Sequence, residues 1–143
     1  MKTLLLPLIL SFISISLFAQ DRYLNDVAET QELSKKVAAL FAENNIVESL
    51  NLIRPYQFIP QDKIEYIEEQ SGKLSAIIKD NFGDAIGALK VKNETISDIA
   101  LRETYLVRYV NSAIRLVFTY YKNDKGWIVN DFKWDDSFTN EFK

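Results

Sequence analysis

The chain has 143 residues, with 17 Lys and Arg against 20 Asp and Glu, no cysteine and no histidine, for a net charge of −3. That length fits one domain with a single core and excludes two comfortable ones. Without cysteine there is no disulfide, no thiol nucleophile and no lipid attachment through an N-terminal Cys; without histidine the usual imidazole base and metal-binding nitrogen are missing. Any chemistry falls to carboxylates, tyrosines or lysines, no cofactor is expected, and the acidic balance gives no general attraction to nucleic acid.

Lys2 is followed by an apolar run from Leu4 to Phe18, then Ala19-Gln20-Asp21, after which the composition turns polar. A cationic start, a short apolar stretch and a small residue at its end predict a cleaved secretory signal over residues 1–20. The run is shorter than the roughly 20 residues of a spanning helix. The expectation is therefore an exported domain over residues 21–143, periplasmic or secreted, with no membrane span in the mature protein.

Asn25 and Asp26 offer side-chain oxygens to cap a helix running to about Asn44, with Val27, Leu33, Val37, Leu40 and Phe41 on one side. Asn44-Asn45 breaks it, and Ile46 to Ile53 forms a second, short helix that Pro55 stops. Pro60 suits the first turn of a third helix, whose inner face carries Ile64, Ile67, Ser71, Leu74, Ile77 and Ile78 and which ends at Gly83. Gly72 is expected to bend or split it. Ala85 to Lys92 reads as a first strand, with a turn at Asn93-Glu94.

From Ile99 to Trp134 the chain alternates apolar and polar residues in three runs, separated by Asn111-Ser112 and Asn123 to Gly126. Period two means half-buried strands, and the separators supply reversals, so a three-stranded antiparallel meander is expected. A two-residue turn at Asn111-Ser112 pairs Arg108 with Arg115 and Glu103 with Tyr120. A three-residue loop at Asn123 to Lys125, with Gly126 as a bulge, pairs Tyr120 with Ile128 and Ile114 with Trp134. The apolar face of this sheet must be covered by the three helices, which gives an α+β fold, helices packed on a curved antiparallel sheet.

The order helix-helix-helix-sheet, with the ending Phe118-Thr-Tyr-Tyr121 and Gly126-Trp127-Ile-Val-Asn-Asp-Phe132-Lys-Trp134, resembles the NTF2-like (cystatin-like) superfamily over about Tyr23 to Asp136. That superfamily includes exported bacterial members of unassigned function. The resemblance implies a cone or roll with a cavity between helices and sheet, and frequent dimers through the outer sheet face. Enzymes of the group commonly use an Asp-His pair, which a histidine-free chain lacks, so the resemblance tilts against catalysis.

Two constellations follow from the expected pairing. On the concave face Glu103, Tyr105, Tyr120 and Asn130 come together as a ligand-binding group. A carboxylate in an apolar pocket has its pKa raised and works as acid or base, with phenols as donors, so Glu103 is also the candidate catalytic residue of a cofactor-free isomerase or hydrolase. The opposing reading is packed tyrosines and a solvated Glu103. On the outer face Arg108, Arg115 and Lys133 line up in one row beside Tyr121 and Trp127. Like charges in register destabilise a sheet, so an acidic protein partner, a bound anion or a dimer mate presenting carboxylates is expected to offset them; the alternative is a solvated charged face. The leading expectation is a non-catalytic domain that binds a small molecule or protein partner as a homodimer. The competing expectations are the Glu103 enzyme and a purely structural envelope protein.

Overall fold

A computed structural model describes residues 22–58 and 60–142; the expected signal segment lies outside the described residues. Helix α1 spans Val27–Ala42. Asp26 Oδ1 accepts the Glu29 amide at 2.9 Å, satisfying an orphan donor of the first turn, and the Glu29 carboxylate accepts the Asn25 amide just before the cap at 2.7 Å. The helix stops where Asn44 takes a positive φ of 61°, a conformation that asparagine tolerates. Helix α2 (Ile46–Ile53) follows and ends in a 3-10 turn, Arg54–Tyr56, around Pro55.

Helix α3 covers Gln61–Ile77 without a break at Gly72, contrary to the expected split; no heavy atom lies within 4 Å of a Cβ placed there. The position is solvent-exposed, so the glycine costs helix propensity, about 1 kcal/mol against alanine, without opening the backbone. A wide π turn, Ile78–Phe82, carries the chain to Gly83 at φ 76°. There the Asn111 amide donates to the Phe82 carbonyl and the Val110 amide to Asp84, each at 3.0 Å.

The sheet contains β1 (Ala85–Ile96), β2 (Ala100–Tyr109), β3 (Ala113–Lys122) and β4 (Trp127–Asp135), antiparallel and in sequential order. The fold is therefore α+β, three helices followed by a curved open sheet. Strand β1 runs past the expected turn at Asn93-Glu94, because Asn93 pairs with Glu103 and Glu94 with Arg102. The reversal falls at Ser97 to Ile99 instead.

The first hairpin of the meander turns at Val110-Asn111, one residue earlier than expected, which slides the pairing by two. Glu103 faces Phe118, Tyr105 faces Leu116 and Arg108 faces Ala113. An even slide keeps every side chain on its face. Leu101, Glu103, Tyr105, Val107 and Tyr109 from β2 are buried, as are Ile114, Leu116, Phe118 and Tyr120 from β3.

The second hairpin departs further. Its loop has four residues, Asn123 to Gly126, with Asn123 Oδ1 accepting the amides of Lys125 and Gly126. Gly126, at φ 147°, passes so close to the N-terminal segment that a Cβ would lie 2.7 Å from the Leu24 carbonyl. Trp127 and Leu24 exchange backbone hydrogen bonds of 2.8 and 2.9 Å. A bulge then occurs where Thr119 pairs with Asp131 but Tyr120 with Val129, leaving Asn130 unpaired. The bulge reconciles a four-residue loop with an apolar inner face: Trp127 and Val129 face inward before it, Phe132 and Trp134 after it.

The core lies between α1, α2 and the sheet. Thr30, Leu33, Ser34, Val37, Ala38 and Phe41 of α1 are buried. Phe41 meets Phe132 and Trp134 with ring centroids 6.0 Å apart in each case, and Phe118 packs at 4.8 Å against Phe132 with the rings tilted by 37°. Among the described residues no helix is long and apolar enough to cross a membrane.

Candidate functional site

Strand β2 places Glu103 and Tyr105 two residues apart on the inner face, and β3 adds Tyr120. Glu103 is completely buried rather than solvated, and Lys90 of β1 reaches it with Nζ 2.7 Å from Oε1. Its other oxygen, Oε2, is buried without a hydrogen-bond partner. The same lysine sits 5.9 Å over the Tyr105 ring and is one-third exposed. An ion pair seals this carboxylate from solvent.

The Tyr120 phenol is committed too. Tyr120 Oη donates to the Thr30 carbonyl at 3.0 Å and lies 2.7 Å from Ser34 Oγ, so α1 uses its hydrogen-bonding capacity. Burial first, and then the nearby Glu103 charge, pushes the Tyr120 phenol well above its ordinary pKa, with the Ser34 hydrogen bond pulling the other way. Tyr105 is pushed up to about 12, first by burial and then by the charges of Glu103 and Glu32. Both stay protonated at neutral pH. Asn130 does not join them: the bulge at Asn130 leaves it exposed, which corrects its expected place on the concave face. The group of four is thus three residues, with Lys90 as a member that sequence reading did not single out.

The outer row is also corrected. Arg115 is opposite Asp135, not Lys133, and Arg108 is opposite Ala113. Arg115 makes a two-pronged contact with Asp135 at 3.1 and 2.7 Å and a third bond to Glu141 at 2.8 Å. Glu141, on the C-terminal turn Phe138–Glu141, also meets Lys92 Nζ at 2.7 Å. The carboxylates that the row requires come from this chain's own last residues.

The cations leave their mark on both acids. Burial works to raise the Asp135 pKa, but the Arg115 hydrogen bonds and charge and the Ser137 amide outweigh it and hold the carboxyl below its ordinary value. Lys92 and then Arg115 hold Glu141 low. Trp127 is buried on the inner side, so it leaves the outer-face group; Arg108, Tyr121 and Lys133 remain exposed there.

A sizeable open groove lies elsewhere. Helix α3 packs on α2, and between α3 and β4 runs a groove of about 650 Å³, within the ~300–1,000 Å³ usual for small-molecule sites. Leu50 and Ile53 of α2, Ile67 and Leu74 of α3, and Phe132 and Trp134 of β4 line its apolar surface. Arg54, Lys63, Lys73, Lys133 and Asp131 stand around it with the Tyr66 phenol. Glu103, Tyr105 and Tyr120 are not among its walls.

The groove follows from α3 itself. Its apolar positions Ile67, Leu74 and Ile77 are interrupted by Gln70 and Ser71, too few to bury a full helical face. Ile77 is accordingly 48% exposed and Tyr66 63%. That interruption was the available signal for an open wall. Comparison with known proteins returns no match: no family model, no curated sequence and no solved structure pairs with the chain.

Proposed function

We propose that the protein is an exported binding domain of the NTF2-like kind, with its ligand site in the groove between α3 and β4 and a small molecule with an apolar body as ligand. The observation that carries this reading is an apolar-walled groove of about 650 Å³ beside a well-buried core between α1, α2 and the sheet. Large apolar side chains left half-covered on facing walls gain by removing that surface from water, roughly 25 cal/mol per Å². Export rests on the N-terminal pattern of Lys2, the apolar run and Ala19.

A catalytic use of Glu103 has less behind it, because the carboxylate is sealed by Lys90 and lies outside the groove. Pairing of two copies through the outer sheet face also loses support, since Arg115 is engaged within the chain and Trp127 is turned inward. The test uses N-phenylnaphthylamine, an uncharged apolar dye whose emission rises on burial. Saturable binding of one dye per chain is expected, and Leu74→Trp should abolish it by filling the groove while the unfolding midpoint stays within the wild-type range. Dye binding that Leu74→Trp leaves intact would overturn the assignment.

A further inference from the structure

The groove carries information about the polar end of its ligand as well as the apolar body. Its lining holds four cations, Arg54, Lys63, Lys73 and Lys133, against the single carboxylate of Asp131, in a chain whose net charge is −3. A positive groove on an acidic chain is a local inversion of the mean field.

The carboxylates that meet these cations do so loosely. Arg54 pairs with Glu68 at 3.1 Å and Lys73 with Glu69 at 2.7 Å, with all four side chains at least one-third exposed. Asp131 approaches Lys133 only to 4.0 Å, and Lys63 has no ion pair among the described residues. Exposed pairs of this kind contribute little, so an incoming anion exchanges them at small cost. The sealed pair of Lys90 and Glu103 shows what a committed ion pair looks like in the same molecule.

The groove is also elongated. Its α3 wall runs from Lys63 to Ile77, about 20 Å at the 1.5 Å rise of an α-helix. Along that wall Lys63 and Lys73 alternate with the apolar Ile67, Leu74 and Ile77, and Phe132 and Trp134 of β4 complete the apolar lining. We infer that the groove binds a single-chain amphiphile with an anionic headgroup, the chain lying along Ile67, Leu74, Phe132 and Trp134 and the headgroup at the cationic rim, where Lys63 and Lys133 have no close ion pair.

This rests on the groove being the ligand site, and the experiment separates the two claims. Dodecanoate and dodecanol, below their aggregation concentrations, are titrated into the protein by calorimetry at low salt. Dodecanoate should bind at least tenfold tighter. Lys63→Gln combined with Lys133→Gln should shrink that ratio to about twofold without moving dodecanol, and salt should weaken only the dodecanoate complex. Equal affinities overturn the headgroup assignment and leave the groove reading standing. Failure of both compounds while the dye still binds overturns the amphiphile class, and failure of the dye as well overturns the groove. Binding to anionic vesicles in preference to free dodecanoate also overturns the inference, since it makes the surface, not the groove, the anion receptor.

Discussion

Helices α1 and α3 are nearly equal in length, 16 and 17 residues, and sit on the same side of one sheet, yet α1 buries six side chains while among the described side chains of α3 only Ser71 is buried. The difference lies in residue size and continuity. Thr30, Ser34 and Ala38 are small, so the α1 backbone comes close enough for the Tyr120 hydroxyl to reach a helix carbonyl. Gln70 interrupts the stripe of α3, and the facing aromatic pair Phe132 and Trp134 turns partly into the gap. One half of the interior is a core, and the other borders an open groove.

The comparison breaks most directly in the sealed half. Phe41→Ala should cost about 4 kcal/mol in urea unfolding, because a fully buried ring leaves a cavity beside Phe132 and Trp134. Ile67→Ala, on the groove wall, should cost about 1 kcal/mol, since a partly buried side chain leaves little void. Equal losses would mean that α3 is packed as tightly as α1.

The next effect is electrostatic. Lys90→Met leaves the Glu103 carboxylate buried without its partner and should cost about 3 kcal/mol, at the low end for a broken buried pair because Lys90 is one-third exposed. Adding Glu103→Gln should recover much of that loss in the double variant. A Lys90→Met loss that Glu103→Gln does not relieve would separate the two residues energetically.

A smaller and pH-dependent effect belongs to the C-terminal turn. Asp135 and Glu141 have folded-state pKa values below their ordinary 3.8 and 4.5. Their contribution is therefore complete above the unfolded values and is lost as pH falls from about 4.5 through the folded values. Arg115→Met should flatten that acid limb and cost about 2 kcal/mol at pH 7, read from unfolding midpoints across pH. An unchanged acid limb would show that other carboxylates set it. The smallest effect is expected at the groove lip, where Phe58, 96% exposed, should tolerate Ser within about 0.5 kcal/mol.

Much of this architecture was legible in the order of residues. Asn25 and Asp26 mark the start of α1, Asn44 its end, and the alternation from Leu101 to Tyr120 assigns each side chain to a face because the strand period is two. That parity survives a slide of two residues, so the inner face was readable even with the turn misplaced by one.

Partner identity was not readable in this way. Whether Arg115 meets Lys133 or Asp135 depends on a hairpin loop of four residues together with a bulge at Asn130, and the two corrections cannot be separated by local pattern. The partner of Glu103 came from a strand, β1, that runs past its expected turn, and the partner of Arg115 came from residue 141, beyond the sheet altogether.

The sequence by itself determined the α+β class, the faces of β2 and β3 and the limits of α1 and α2, since these follow from short-range periodicity and capping. Only the tertiary structure decided which charges are sealed together and where space is left open. Both depend on how far α3 stands from β4 and on which residues the turns bring into register, distances that no local pattern encodes.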